Sequence, residues 1–225
     1  KVVRPAVKVV SDMPLPAEDT YEAIEELFER LNSIHKIFSD PEITSIRLVL
    51  NLEKMVIKET QRGYTYLNLY GYPVDSVIIN RAMPVEIDHP YFNEWKENQN
   101  KYRDEVRELF HTNTMQETPL FRREVLGIES LEELAEELFN KKDPTKVFYK
   151  DKPYEIKKLQ DRYTLQMKLP FASKEQIKVH QVGDELTIQI ENQRRNIFLP
   201  NFLAKLNVSK ANMDNGLLKL EFERK

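Results

Sequence analysis

The spacing of hydrophobic residues follows a helical period through the first two-thirds of the chain. Apolar side chains recur at steps of three and four residues with charged residues between them, as on an amphipathic helix that buries one face. Ser130, followed three residues later by Glu133, also has the spacing of a capping box, which predicts that the last helix begins at Ser130. The pattern predicts helices over about residues 20–38, 53–70, 90–111 and 130–139.

Short aliphatic runs between these helices predict three strands, over residues 44–51, 74–80 and 115–118. The run Val77-Ile78-Ile79 has no polar member, which is typical of a strand covered on both faces. A helix separates the first two strands, and Gly71 can end that helix in a left-handed conformation. Residues 44–80 are therefore predicted to form a βαβ unit with a right-handed crossover.

After residue 144 the hydrophobic period becomes two, as in half-buried strands. Alternating runs such as Leu186, Ile188 and Ile190, separated by turn residues, predict a β-sandwich of about 70 residues. The expected fold class is thus α/β followed by an all-β sandwich, with a linker over residues 141–153. The corresponding domains are 1–148 and 149–225.

Composition narrows the classes of function. Apolar residues make up 40% and charged residues 32% of the chain, and there is no cysteine, which excludes thiol chemistry and disulfides. No apolar run is long enough to cross a bilayer, so a cytoplasmic location is expected. Residues 1–150 carry a net charge of −7 and residues 151–225 a net charge of +4. Neither part is basic enough to predict nucleic-acid binding.

Motifs for self-contained catalysis are missing from the sequence. All five glycines are isolated and none is followed by Lys-Ser or Lys-Thr, so no phosphate-binding loop is predicted. The four histidines lack the spacing of a zinc hydrolase. We therefore predict no catalytic residue and no metal site in this chain.

Several short motifs nevertheless resemble, in order and spacing, the last third of the anion-transporting ATPase family, which includes arsenical-pump ATPases and ATPases that target tail-anchored membrane proteins. The motifs are Arg47-Leu-Val-Leu-Asn-Leu-Glu-Lys-Met, Glu59-Thr-Gln-Arg, Val77-Ile-Ile-Asn-Arg, Trp95 with Tyr102, and Thr118-Pro-Leu-Phe-Arg-Arg-Glu-Val-Leu-Gly. The resemblance covers residues 10–148 and implies part of a P-loop NTPase sheet. Because the family's P-loop is not in this sequence, and position 1 is Lys rather than Met, we expect a C-terminal fragment of an ATPase that is inactive alone.

The resemblance also implies site residues and cofactors. Asn80 and the segment Pro119, Leu120 and Phe121 correspond to the adenine side of the family's nucleotide site, and Glu53 to an acidic position that reaches nucleotide across a dimer. The full-length protein would use ATP and Mg²⁺, with weak or absent binding by this chain alone. Read without the resemblance, Asn80 could instead be a strand-end turn former, Pro119 a connector, and Glu53 an acid that favours the helix dipole.

Partners follow from the same resemblance: a homodimer or the missing N-terminal ATPase portion, and a membrane transporter or a membrane-protein client. The tail-anchored-protein branch often carries a Cys-x-x-Cys zinc pair between the positions of Asn80 and Trp95. No cysteine stands there in this sequence, so zinc-linked dimerisation is not expected.

A second resemblance, over residues 154–223, is to the α-crystallin domain of small heat-shock proteins. It is carried by Gly183-Asp-Glu-Leu-Thr-Ile, Phe198-Leu-Pro and Ala211-Asn-Met-Asp-Asn-Gly-Leu-Leu. The long loop that dimerising members exchange is reduced here to the connection 191–196, so we expect a local hairpin and a monomeric, independently folded module. The alternative function is a non-enzymatic chaperone-like or scaffold module, in which the sandwich holds apolar clients.

Overall fold

A computed structural model of the chain describes residues 18–111, 113–140, 142–150, 152–159 and 162–224. Contacts divide the chain after Ser39 into two compact units, and each is described by itself. In the first, α1 spans Glu18–Ser39, which confirms the predicted helix. Its apolar side chains stay exposed, from 44% at Ile24 to 66% at Phe28, so the burial expected of this face is not seen. None of the helices in the described ranges has the length and apolarity needed to cross a membrane.

The second unit begins with the predicted βαβ arrangement, made of β1 (Ile46–Asn51), α2 (Lys54–Tyr70) and β2 (Val74–Ala82). The two strands pair in parallel, with Leu48 opposite Val77. Gly71 ends α2 at φ 83°, and its N–H donates to the Asn68 carbonyl. A left-handed residue is favourable here only because glycine has no Cβ.

The other side of β2 pairs in parallel with β3 (Thr114–Pro119), which gives the sheet order β1-β2-β3. Between β2 and β3 lie a 3-10 turn (Pro90–Phe92) and α3 (Asn93–Leu109). The sheet and helices enclose a core that includes Leu50, Ile57, Leu52, Val74, Val77, Ile79, Val106 and Phe110. Burial of both faces explains why the run at residues 77–79 is continuously apolar.

The predicted start of the last helix is wrong. Helix α4 spans Gly127–Phe139, and its N-cap residue, Leu126, makes no side-chain cap bond. The Ser130 hydroxyl donates to the carbonyls of Leu126 and Gly127, inside the first turn. The Ser130 hydroxyl therefore donates to carbonyls of the preceding turn and does not cap the helix. Serine side chains inside helices commonly make this kind of hydrogen bond.

Two antiparallel sheets form the predicted sandwich. Their strands are β4 (Tyr154–Leu159), β5 (Arg162–Lys168), β6 (Ile177–Val182), β7 (Glu185–Ile190), β8 (Gln193–Phe198), β9 (Asn207–Asp214) and β10 (Leu217–Glu223). The first sheet has the order β4-β5-β10-β9 and the second β6-β7-β8. A 3-10 turn (Lys174–Gln176) precedes β6, and the short helix α5 (Asn201–Ala204) follows β8.

The connection after β7 is a local hairpin, as expected, but it is shorter than the predicted 191–196. Residues Gln193–Phe198 already belong to β8, with Ile190 opposite Gln193. Only Glu191 and Asn192 form the turn, and Glu191 adopts φ 52°. A two-residue turn with positive φ matches the twist of paired strands, which explains the tight return.

Helix α2 is part of the sandwich as well as of the α/β sheet. Leu69 is fully buried in the sandwich core beside residues such as Leu165 and Ile188. The Arg195 guanidinium lies 4.7 Å from the Tyr154 ring and donates to the Leu69 carbonyl at 2.5 Å. The sandwich is thus completed by a side chain from outside residues 154–223, which the expectation of an independent module did not include.

A second contact joins the two parts through Phe171, whose φ of 76° is unusual for an aromatic residue. Its ring meets those of Tyr64 and Phe110 edge-on, at centroid distances of 5.9 and 5.4 Å. Aromatic packing from both sides can hold a strained backbone in place.

The segment between α4 and β4 is fixed to the amino ends of the parallel strands. Arg47 donates to the Lys146 carbonyl at 3.0 Å, and the Phe148 N–H donates to the fully buried Asp75 at 3.1 Å. The Arg47 guanidinium also lies 4.8 Å from the centre of the Phe148 ring. The linker therefore occupies the edge of the sheet opposite the carboxyl ends of its strands.

Candidate functional site

The carboxyl ends of three parallel strands bring most of the predicted site residues to one edge of the sheet. Asn51 at the end of β1 lies opposite Asn80 of β2, and Ala82 lies opposite Pro119 of β3. The Leu120 N–H donates to the Ala82 carbonyl at 2.8 Å. Ligands of open α/β sheets collect at such an edge, so its side chains are the first candidates for a binding role.

The side chain of Asn80 is oriented by a residue that sequence reasoning did not single out. Thr118, only 2% exposed, donates its hydroxyl to Asn80 Oδ1 at 3.2 Å. The amide oxygen keeps a second lone pair, and none of the described residues accepts a hydrogen bond from the amide nitrogen. A half-buried amide held in this way can donate to and accept from the edge of a heterocyclic base.

The backbone next to Asn80 bends sharply. Arg81 adopts φ 55°, and the pairing of β2 with β3 is interrupted between Ile79 and Ala82. Such a bulge re-aims the side chains beside it, and bulges are common next to binding sites. Asn80 therefore lies within a strand that continues to Ala82, so it does not form the strand-end turn that the plain interpretation allowed.

The loop that follows β2 is anchored by α3. The Met83 N–H donates to Gln99 Oε1 at 2.8 Å. Lys96 Nζ donates to the carbonyls of Val85 and Ile87 at 3.1 and 2.6 Å. Gln99 was visible in the sequence as a polar residue at an apolar position of its helix, which is the signal that could have marked it as an anchor.

Glu53 lies at the same edge, in the connection between β1 and α2. It occupies the N-cap position of α2 with φ −133°, its side chain makes no cap hydrogen bond, and it is exposed. Within the described residues no hydrogen bond joins it to Asn80 or Pro119. The structure therefore brings Asn80, Pro119 and Leu120 together, with Phe121 half-buried next in the chain, and leaves the Glu53 carboxylate free to face outward.

The residues of this edge fit the base of a nucleotide better than its phosphates or magnesium. Asn80 offers both hydrogen-bond types and Leu120, 43% exposed, offers apolar surface. Glu117 on β3 is already engaged by Arg103 through three contacts of 2.8–3.1 Å. Among the described residues no cluster of three or more His, Asp or Glu side chains could hold a metal ion.

Comparison with known families divides the chain in two. Residues 1–140 match the family described as anion-transporting ATPase. Residues 160–222 match an HSP20-like domain found in ArsA.

Relatives come from bacteria and yeasts. The chain is 37% identical over 218 residues to a candidate arsenical pump-driving ATPase 1 of Aquifex aeolicus, an alignment that covers 95% of this chain and 55% of the relative. A candidate arsenical pump-driving ATPase of Chlorobaculum tepidum is 36% identical to the chain. That alignment covers 99% of this chain and 56% of the relative. ATPase GET3 of Lodderomyces elongisporus is 29% identical over 133 residues, which are 57% of this chain and 38% of that protein. The chain spans about half the length of the first two relatives.

Proposed function

The chain belongs to the anion-transporting ATPase family, and on that premise we propose that it forms the adenine-side wall of an ATP site. The whole protein would be an ATPase that drives an anion pump or targets membrane proteins. The observation that carries this proposal is the Asn80 amide, held by Thr118 at the carboxyl edge of the sheet beside Pro119 and Leu120.

The residues of this chain would bind and orient the base. Asn80 would donate through its amide nitrogen and accept through its oxygen, while Leu120 and Phe121 would cover the faces of the ring and exclude water. Because Thr118 fixes the amide before nucleotide arrives, little side-chain entropy is lost on binding. ATP with Mg²⁺ supplies the transferable phosphoryl group, which must be held by residues outside this edge.

Glu53 has a separate proposed role. Its carboxylate is exposed and makes no cap hydrogen bond, which suits a residue that reaches a nucleotide bound by a second subunit. A homodimer would bring Glu53 to the nucleotide of the second subunit, whereas assembly with the N-terminal ATPase portion would supply the phosphate side of the site.

We also propose the domain division 1–148 and 149–225. The matches that end at residue 140 and begin at residue 160 support it, as does the change from a parallel to antiparallel sheets. Leu69 on α2 packs in the core of the sandwich, so residues 40–148 and the second proposed domain share a hydrophobic core.

A second candidate function is a chaperone-like or scaffold module that holds apolar clients. The exposed apolar stripe of α1, which includes Leu27 and Phe28 at 55% and 66% exposure, favours it. This candidate requires neither ATP binding nor a role for Asn80.

Calorimetric titration of the purified chain with adenosine and with ATP separates the two candidates. We expect weak binding that is similar for both ligands, because the described edge would contact the base and not the phosphates. Asn80→Ala should abolish it, whereas Asn98→Ala, an exposed asparagine on α3, should have no effect. Phosphate release should stay at background.

Two results would contradict the adenine-wall proposal. One is an absence of adenosine binding up to millimolar concentrations in a chain that melts cooperatively. The other is binding that survives Asn80→Ala.

A further inference from the structure

A groove opens at the end of the sandwich where β5 begins and β10 ends. Its volume is about 1100 Å³, more than a single side chain or a small metabolite fills. Phe222 and Leu206 are buried beneath its floor, whereas Phe202 on α5 is 51% exposed and Tyr163 lines the groove beside it. The groove therefore has a largely polar lining that contains an exposed aromatic ring.

Two aromatic rings in this groove form a ready surface for an apolar side chain. Tyr163 and Phe202 have centroids 5.0 Å apart and planes tilted by 40°, and Phe202 is half exposed while Tyr163 is half-buried. Aromatic surface of this kind is enriched in the anchor pockets of protein interfaces, because burying it excludes water without freezing many torsions.

The rim of the groove carries an excess of positive charge. Among the described residues that line it, Lys158, Arg162, Lys205 and Arg224 are cationic and Glu223 is acidic. Arg162 and Glu223 are 3.3 Å apart and neutralise one another. Lys158, Lys205 and Arg224 form no ion pair with another described residue, although Lys158 Nζ lies 5.6 Å from the centre of the Tyr163 ring. Three positive charges thus surround the aromatic pair of this groove without an ion-pair partner among the residues that the structure describes.

The groove faces away from the contact between the sandwich and the α/β sheet. Strand β5 runs from Arg162 at the groove to Lys168, and Phe171 beyond it packs on Tyr64 and Phe110. No residue of the α/β sheet is among those that line the groove. A ligand could therefore bind here without disturbing that contact.

We propose that this groove binds an acidic peptide segment of a partner protein, anchored by one aromatic or aliphatic side chain against Tyr163 and Phe202. Carboxylates on both sides of the anchor would pair with Lys158, Lys205 and Arg224. Charge complementarity of this kind favours both association rate and choice of partner. Three unpaired cations are too few to hold nucleic acid, which needs a longer row of phosphate contacts.

Fluorescence anisotropy tests the proposal on the full chain. The probe is a fluorescein-labelled eight-residue peptide of Asp and Glu with one central Phe. We expect saturable binding that weakens as salt rises. Replacing the Phe by Gly, or the acidic residues by Lys, should weaken binding by about tenfold or more.

Variants locate the site. Lys205→Glu and Phe202→Ala should each weaken binding of the Phe-containing acidic peptide by about fivefold or more. Lys178→Glu makes the same charge change at an exposed position of β6 outside the groove and should alter binding by less than about twofold. Circular dichroism melting of each variant checks that the fold is retained, and the peptide comparisons on the unaltered chain stand even if one variant unfolds.

Several results would overturn the proposal. They are an absence of peptide binding, equal losses for Lys205→Glu and Lys178→Glu, and tighter binding of oligo-dT or of vesicles rich in phosphatidylserine than of the acidic peptide.

Discussion

The hydrogen bond between Thr118 and Asn80 is the smallest feature on which the proposed adenine contact depends. Thr118→Val keeps the shape of a buried side chain but removes the hydroxyl that holds Asn80 Oδ1. We expect adenosine binding to weaken by about 1 kcal/mol, roughly fivefold, because the amide loses its fixed orientation. Titration calorimetry measures this change, and unchanged affinity would show that Thr118 does not position Asn80.

Two glycines, one inside α2 and one at its end, allow the effect of backbone conformation on stability to be compared. Gly71 adopts φ 83°, and an added Cβ would lie 3.1 Å from Arg195 Nη1 and a Tyr154 ring carbon. Gly71→Ala should therefore lower the free energy of unfolding by about 1–2 kcal/mol.

Gly63 is the control for that prediction, since it lies inside α2 and an added Cβ would meet nothing within 4 Å. Gly63→Ala should raise the free energy of unfolding by up to about 1 kcal/mol. Urea denaturation of both variants provides the measurement. Equal effects of the two substitutions would contradict the account.

At the scale of elements, α2 meets the β7–β8 hairpin through tyrosine hydroxyls. Tyr66 donates to Glu191 Oε2 at 3.0 Å and Tyr70 to Gln193 Oε1 at 2.9 Å. Desolvation raises the pKa of Tyr66 above its ordinary value of 10.0, and it is the largest cause. The hydrogen bond to Glu191 and the negative charge of Glu191 raise this pKa further. A raised pKa means that the folded state favours the protonated hydroxyl.

The sign of the pH dependence follows from that shift. The stability that Tyr66 contributes is fully present below pH 10 and is lost as the pH rises through its higher pKa in the folded protein. We expect Tyr66→Phe to be less stable than the unaltered chain at pH 8, with the difference shrinking towards pH 11. Urea midpoints at several pH values measure the difference, and a gap that widens with pH would refute the assignment.

Periodicity predicted the elements well where each faces a single environment. The alternation in β7 and the continuous apolar run in β2 led directly to the observed strands. It could not assign Leu69 to the sandwich, because Leu69 continues the same helix that packs on the sheet. Nor could it place Thr118 beside Asn80, since that contact depends on β3 pairing with β2. The predicted helix start at Ser130 was wrong for a local reason, because a serine hydroxyl can either cap a helix or donate to a carbonyl of the preceding turn.

At the scale of the whole molecule, Leu69 is one of several side chains that join the parallel sheet and its helices to the sandwich. Leu69 is fully buried in the sandwich core, whereas Leu67 of the same helix packs against the core of the parallel sheet. Leu69→Ala should destabilise the protein by about 2–5 kcal/mol and reduce hydrogen-exchange protection in β7 and β10. Leu67→Ala should reduce protection in the parallel sheet first. If Leu69→Ala left the sandwich amides unchanged, the shared core would be refuted.

Photolabelling reports directly whether Asn80 and the segment after β3 contact an adenine base. The full chain is irradiated with 8-azidoadenosine, and the labelled peptides are identified by mass spectrometry. We expect label on the peptides that contain Asn80 or residues 119–121. Excess adenosine and excess ATP should displace it equally, and it should be lost in Asn80→Ala but not in Asn98→Ala. Label confined to other peptides, or label on these peptides that excess adenosine does not displace, would contradict the adenine contact.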